Sequence, residues 1–123
     1  MTEREWGWVI GLVEGEGSFI TFPQHQREGK ARKKRYITVG ISVFMTDKDT
    51  IETLANLLGT KVGGPYRPIS RKPHWKPGYR TQAYGTKALA LGLSMYEHLS
   101  QRRKQQFQKI LYTWEHGGSH SPV

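Results

Sequence analysis

Glu14 and Glu16 stand two residues apart in the run Val9-Ile10-Gly11-Leu12-Val13-Glu14-Gly15-Glu16-Gly17, and Asp47 closes a long alternating segment further on. Carboxylate oxygens are hard donors that suit Mg2+-class cations. The chain has no cysteine, which excludes a thiolate nucleophile, a disulfide framework and a zinc–thiolate site. The five histidines, His25, His74, His98, His116 and His120, show no ligand spacing. They are read as surface residues, and no Ser-His-Asp set accompanies them. Any bound metal is therefore expected to sit on oxygen or imidazole ligands.

The charge balance names the kind of partner. Nineteen Lys and Arg face 10 Asp and Glu, a formal net charge of +9 in 123 residues. Such an excess suits a polyanion, above all nucleic acid. A basic protein without such a partner is the plain alternative, and clustering weighs against it. Residues 27–35 hold six Lys or Arg against the single acid Glu28, and residues 61–82 hold six more and no acid. No apolar run is long enough to span a bilayer. Acids near the amino terminus argue against a signal or transit peptide. The expectation is a protein that stays where it is made and is not secreted.

The elements that carry these residues follow from periodicity. Residues 3–15 read as a helix with Trp6, Val9, Ile10, Leu12 and Val13 as its apolar positions and Thr2 with Glu5 as a capping box. Residues 18–26 read as a strand. Residues 36–46 are the clearest strand: Ile37, Val39, Ile41, Val43 and Met45 alternate with Thr38, Gly40, Ser42, Phe44 and Thr46. A helix capped by Thr46 or Asp47 buries Ile51, Leu54, Leu57 and Leu58 and stops at Gly59. Residues 61–71 and 79–85 read as strands joined by a Pro-Gly-rich connection. A helix from Thr86 to about Leu99 sets Leu89, Gly92, Leu93 and Tyr96 on one side. A last helix from Ser100 to His116 repeats Phe107, Ile110, Leu111 and Trp114 at helical spacing. This order predicts one α+β domain over residues 1–116, with a four-stranded antiparallel sheet and helices on one face. Residues 117–123 have turn composition and are expected to be a disordered tail.

Gly7, Gly11 and Gly15 interrupt the first helix every four residues, each at about 1 kcal/mol against Ala. A stripe of this kind lets a second helix backbone approach closely, and its natural partner is a copy of itself across a two-fold axis. Gly7, Trp8, Gly11, Leu12 and Gly15 form the expected dimer interface. Glu16 then stands at the foot of the helix beside its symmetry mate. Two carboxylates so placed repel unless cations lie between them. A helix end with two solvated glutamates is the competing reading of the acids alone.

The segment from Val9 to Gly17 resembles the signature of the LAGLIDADG homing endonuclease family. Gly11, Leu12 and Gly17 match outright, and Ser18 and Phe19 continue in the same manner. Val9 and Val13 are apolar replacements and Glu14 and Glu16 acidic ones. The resemblance implies the α-β-β-α-β-β-α fold, a saddle-shaped sheet lying along double-stranded DNA, and a homodimer, since one signature stands in a short chain. It implies that Glu16, with the Gly15 carbonyl, binds the catalytic Mg2+ or Mn2+, with Ca2+ as a non-cleaving substitute. Most members carry Asp at that position; Glu is one methylene longer. Glu14 looks structural. The resemblance further places a polar residue that organises water or metal at Asp47, where a helix N-cap explains the acid equally well. It also places a cation near the cleavage centre, for which the spacing favours Arg102; a solvated helix face is the alternative there. The implied reaction is phosphodiester hydrolysis, with cations stabilising the attacking and leaving oxygens. No membrane and no small-molecule substrate are expected. The implied setting is the cytoplasm or nucleoid of a prokaryote or phage-infected host, or an organelle's matrix or stroma.

Phosphate contacts are expected from Arg27, Lys30, Arg32, Lys33, Lys34, Arg35, Lys72 and Lys76. Period two selects the base-facing set: Ile20, Phe22, Gln24 and Gln26 on the first strand, where Phe19 and Phe22 leave the face open; Thr38, Gly40, Ser42 and Phe44 on the second; and Arg67, Ile69, Arg71, Arg80, Gln82 and Tyr84 on the third and fourth. Arg67, Arg71 and Arg80 are the best guanine readers. Tyr66, Trp75 and Tyr79 read as packing or loop anchors. A homodimer predicts a near-palindromic target. Two other readings are open. One is a non-cleaving nucleic-acid-binding protein of the same fold, such as a maturase or regulator. The other is an RNA binder that stacks bases on Phe44 and Tyr84.

Overall fold

The computed structural model describes residues 1–26, 34–67 and 76–116. Helix α1 spans Glu3–Glu16, and strands β1 and β2 span Gly17–Gln26 and Lys34–Met45. Helix α2 spans Lys48–Leu58, strands β3 and β4 span Val62–Tyr66 and Gly78–Tyr84, and α3 spans Gly85–Met95. A 3-10 turn at Tyr96–His98 leads into α4, Gln101–His116. The four strands form one open antiparallel sheet in the order β1-β2-β4-β3. This is the α+β order that the periodicity predicts. Among the described residues, no helix is long and apolar enough to cross a membrane.

Local chemistry sets the helix boundaries. At α1 the Thr2 hydroxyl accepts the Glu5 N–H at 3.1 Å, and Glu5 Oε1 accepts the Thr2 N–H at 2.8 Å, a complete capping box. At α2 the Asp47 carboxylate accepts the Thr50 N–H at 3.2 Å. That helix ends at Gly59, which takes the left-handed conformation at φ 68° that a Cβ would disfavour. At α4 the Ser100 hydroxyl accepts the Arg103 N–H at 3.2 Å and its carbonyl accepts the Lys104 N–H at 2.8 Å.

The chain forms two compact units, each built from two stretches of sequence. One joins Met1–Ser18 to Ser42–Ala83. Its buried apolar residues include Val9 and Val13 of α1, Val43 of β2, Ile51, Leu54 and Ala55 of α2, and Ala83 of β4. Within it the Thr60 and Thr81 hydroxyls lie 2.6 Å apart, and Thr81 donates onward to the Lys61 carbonyl at 2.9 Å. That relay satisfies a threonine side chain which is otherwise out of solvent.

The other unit joins Phe19–Ile41 to the chain from Tyr84 onward. Val39, Leu89, Phe107 and Ile110 form its core, with Phe19, Tyr96, Leu111 and Trp114 packed against it. The Phe19 and Phe107 rings meet edge-on at 5.7 Å. Phe107 sits directly over Gly92, where a Cβ would fall 2.0 Å from the ring. This contact centres the buried face of α3 on Ala88, Gly92 and Met95. Leu93, which the helical spacing set inward, is instead 59% exposed.

Strand β3 also departs from expectation. Its described part ends at Tyr66, and residues 68–71 of the strand expected over 61–71 lie outside the described residues. Gly63 pairs with Arg80, but Tyr66 rather than residue 65 pairs with Gly78, so one extra residue is accommodated between them. Such a bulge reverses the alternation beyond it. Tyr66 thereby takes the face that period two assigned to Arg67.

Candidate nucleic-acid interface and acidic centre

Glu16 is the last residue of α1 and is exposed, beside exposed Gly15; Glu14 is half-buried. The turn into β1 is tight. The Gly17 N–H donates to the Val13 carbonyl, and a Cβ on Gly17 would lie 2.6 Å from that oxygen. Only glycine lets the strand start where it does, so Gly17 has a role within its own chain. For Gly7, Gly11 and Gly15 no such constraint shows: a Cβ at each would meet none of the described residues within 4 Å. Beside them Trp8 is 38% exposed and Leu12 half-buried.

The donor set at the end of α1 is one carboxylate and one backbone carbonyl. Both are hard oxygen donors of the type that Mg2+ and Ca2+ take, so these residues fit such a cation in kind. A single copy of the chain contributes only part of a coordination shell. Among the described residues no group of three or more His, Asp or Glu gathers at one place.

Asp47 is exposed and serves as the N-cap of α2, which realises one of the two readings its position allows. Arg102 is exposed in the first turn of α4. Its neighbour Arg103 is the buried cation, 7% exposed, with Nη1 donating to Gln106 Oε1 at 2.9 Å. Spacing in the sequence favours Arg102 for a role at the centre but does not foretell that Arg103 is buried. Their separation comes from the face of α4 that carries Arg103, Phe107 and Ile110 inward.

The base-facing set is partly revised. Thr38 is fully buried and Ser42 is 8% exposed, so neither is presented for contact with a base edge. Gly40 is buried as well. At Ser42, the Gln82 Nε2 donates to the hydroxyl at 3.2 Å. Phe44 is 42% exposed, Tyr84 39% exposed, and Arg80 exposed. Arg67 and Lys76 are exposed just outside β3 and β4. Gln24 and Gln26 fall within β1, and Lys34 and Arg35 at the start of β2. Arg27, Lys30, Arg32, Lys33, Ile69, Arg71, Lys72, Trp75 and the expected tail from Gly117 lie outside the described residues.

Sequence reasoning missed Tyr66, which reads as a packing residue there. It is 47% exposed, and its ring centroid lies 5.5 Å from the Arg80 guanidinium carbon. Phe44 lies 5.4 Å from the same carbon. Alternation carries no signal for it, because the bulge that turns Tyr66 to this face is defined by pairing with β4. An open cleft of about 520 Å³ lined by Glu52, Thr53, Ala55, Asn56, Thr60 and Val62 contains none of the predicted site residues.

No protein-family model matches this sequence, and no curated protein does. Solved structures do match. The archaeal intron-encoded homing endonuclease I-Vdi141I complexed with DNA superposes with a TM-score of 0.61 at 17% identity, over 94% of this chain and 71% of that one. The homing endonuclease I-CvuI in complex with its target in the presence of calcium gives 0.62 at 15% identity, over 89% of this chain and 64% of that one. The LAGLIDADG meganuclease I-CpaMI bound to uncleaved DNA gives 0.59 at 16% identity, over 94% of this chain but only 38% of that one. At these identities the likeness is one of fold.

Proposed function

We propose that this chain is a LAGLIDADG-type homing endonuclease: a site-specific nuclease of double-stranded DNA that acts as a homodimer seated on α1. The observation that carries the reading is the glycine stripe. Three helix-interior glycines, each unfavourable by about 1 kcal/mol, border space that no described residue of their own chain occupies, and the helix they interrupt ends at Glu16. Helix-to-helix packing against a second copy accounts for both facts at once. The fold shared with DNA-bound endonucleases supports it.

In this reading Glu16 and the Gly15 carbonyl hold a divalent cation together with the same atoms of the partner. When bound, that cation offsets charge on the attacking and leaving oxygens of a phosphodiester. Asp47 orients the attacking water, and Arg102 balances negative charge on the reacting phosphate. Arg67 and Lys76 neutralise backbone phosphates, and Phe44, Arg80, Gln82 and Tyr84 face the groove. A two-fold enzyme of this kind takes a near-palindromic target.

The test is a cleavage assay on a randomised duplex library with Mg2+, with Ca2+ in a parallel arm and Glu16→Gln as the comparison. The expected result is Mg2+-dependent cutting by the wild type, binding without cutting in Ca2+, and binding without cutting by the variant. Sequence-selective binding with no metal-dependent cut in any arm refutes the enzyme and leaves a binding module of this fold. Preference for single-stranded RNA over duplex refutes both.

A further inference from the structure

Phe44, Arg80 and Tyr66 belong to three different strands, and they meet on the side of the sheet opposite the buried Thr81 and Ala83. The Arg80 guanidinium carbon stands 5.4 Å from the Phe44 ring centroid and 5.5 Å from that of Tyr66, both within cation–π range. Each ring rests on a glycine. A Cβ at Gly78 would fall 1.9 Å from the Phe44 ring, and one at Gly63 would fall 2.5 Å from the Tyr66 hydroxyl. The bulge between Gly63 and Tyr66 brings the second ring to this face at all. Three separate local devices, two bare positions and a reversed alternation, thus converge on one arginine.

Building on the reading of the sheet as a DNA-binding surface, we propose that Phe44 and Tyr66 are positioning residues for Arg80. The two rings fix its guanidinium in one orientation before DNA arrives and so make Arg80 the guanine-selective residue of each half-site. A guanidinium reads guanine through two parallel hydrogen bonds to O6 and N7, and this geometry fails if the fork rotates. A free arginine surrenders its rotamer freedom on binding, whereas one already held by rings surrenders less. Phe44 has no polar atom with which to read a base edge itself. Tyr66 has its hydroxyl turned over Gly63. Their common effect is on the arginine between them.

The experiment selects bound duplexes from a randomised library in Ca2+ and sequences them, for the wild type, Arg80→Ala, Phe44→Leu, Tyr66→Leu and Gly78→Ala. The last variant keeps all three side chains and displaces only the Phe44 ring. In the wild type, one position per half-site is expected to favour guanine. Arg80→Ala should erase that preference. Each of the other three should relax the same position by about 2- to 5-fold, the worth of one exposed cation–π contact, and leave the remaining positions unchanged. Without DNA, the Arg80 Nε–Hε resonance should carry an upfield ring-current shift that shrinks in Phe44→Leu and in Tyr66→Leu. Ring variants that alter a different position, or that leave the Arg80 position intact, overturn this assignment alone, because they show independent contacts or none. An Arg80 resonance unmoved by either ring variant does the same. A wild type that enriches no duplex overturns the DNA-reading surface and the positioning role together.

Discussion

Replacing Gly11 by Ala has an effect whose sign depends on what lies against α1. Inside a single chain the added methyl meets none of the described residues within 4 Å. The helix then gains about 0.8–1 kcal/mol from propensity alone, a rise of roughly 3–5 °C in melting temperature for a domain of this size. Against a second copy the same methyl is overpacked. A two-fold axis that sets α1 on α1 duplicates the substitution at the interface. At about 1 kcal/mol for each methyl, the low end for insertion into a packed contact, the pair weakens the dimer by about 2 kcal/mol, or roughly 30-fold in dissociation constant. Sedimentation velocity over a concentration series measures the second effect, and thermal unfolding at the dilute end measures the first. The expected outcome is opposite signs: a more stable monomer and a weaker dimer. An Ala variant that dimerises as tightly as the wild type while melting higher would show that no backbone packs on the stripe, and the dimer seated on α1 would be abandoned.

Gly92→Ala should do the reverse in isolation, because the new Cβ falls 2.0 Å from the Phe107 ring at the heart of a packed core. Overpacking of about 1–3 kcal/mol, less about 1 kcal/mol of helix propensity, leaves a net destabilisation of roughly 1 kcal/mol by urea unfolding. Asp47→Ala removes the cap of α2 and should cost about 1 kcal/mol, whereas Asp47→Asn keeps the cap and the stability. If Asp47 also orients water, Asn alone abolishes cleavage, and an active Asn variant shows the carboxylate to be a cap only. The Thr2 backbone N–H, and secondarily the Thr2 hydroxyl, holds the Glu5 carboxyl below its ordinary value of 4.5. A depressed carboxylate contributes stability that is present above that value and lost as pH falls through the lower folded one. The stability gap between the wild type and Glu5→Gln should therefore be constant near neutrality and close in acid. A gap independent of pH down to the acid limit refutes that role for the capping box.

Much of the fold was legible because its signals are local. Thr2 with Glu5, Asp47, Gly59 and the alternation from Ile37 to Met45 each act within a few residues, and each boundary lies within about two residues of expectation. The readings that failed depend on neighbours in space. Period two states which face Thr38 occupies but not that the folded chain buries it completely. Helical spacing set Leu93 inward, yet the Phe107 ring seated on Gly92 fixes which stripe of α3 is covered. The bulge that moves Tyr66 onto the face of Arg80 has no signature in alternation, since it is defined by pairing with β4. For the candidate site, the glycine stripe pointed to Glu16 and the family resemblance to Asp47 and Arg102, whereas the burial of Arg103 appears only once α4 has a core to face.

The Phe44 ring lying on the bare backbone of Gly78 ties two distant positions into one unit of variation. With an aromatic at 44, any side chain at 78 collides; with a small residue at 44, the glycine becomes a gap that other residues can fill. Tyr66 and Gly63 form a second such couple. If Arg80 reads DNA as proposed, exchanging residue 44 alone to change how that arginine is held should stall. Paired libraries at 44 with 78, and at 66 with 63, should reach viable variants that neither single exchange attains.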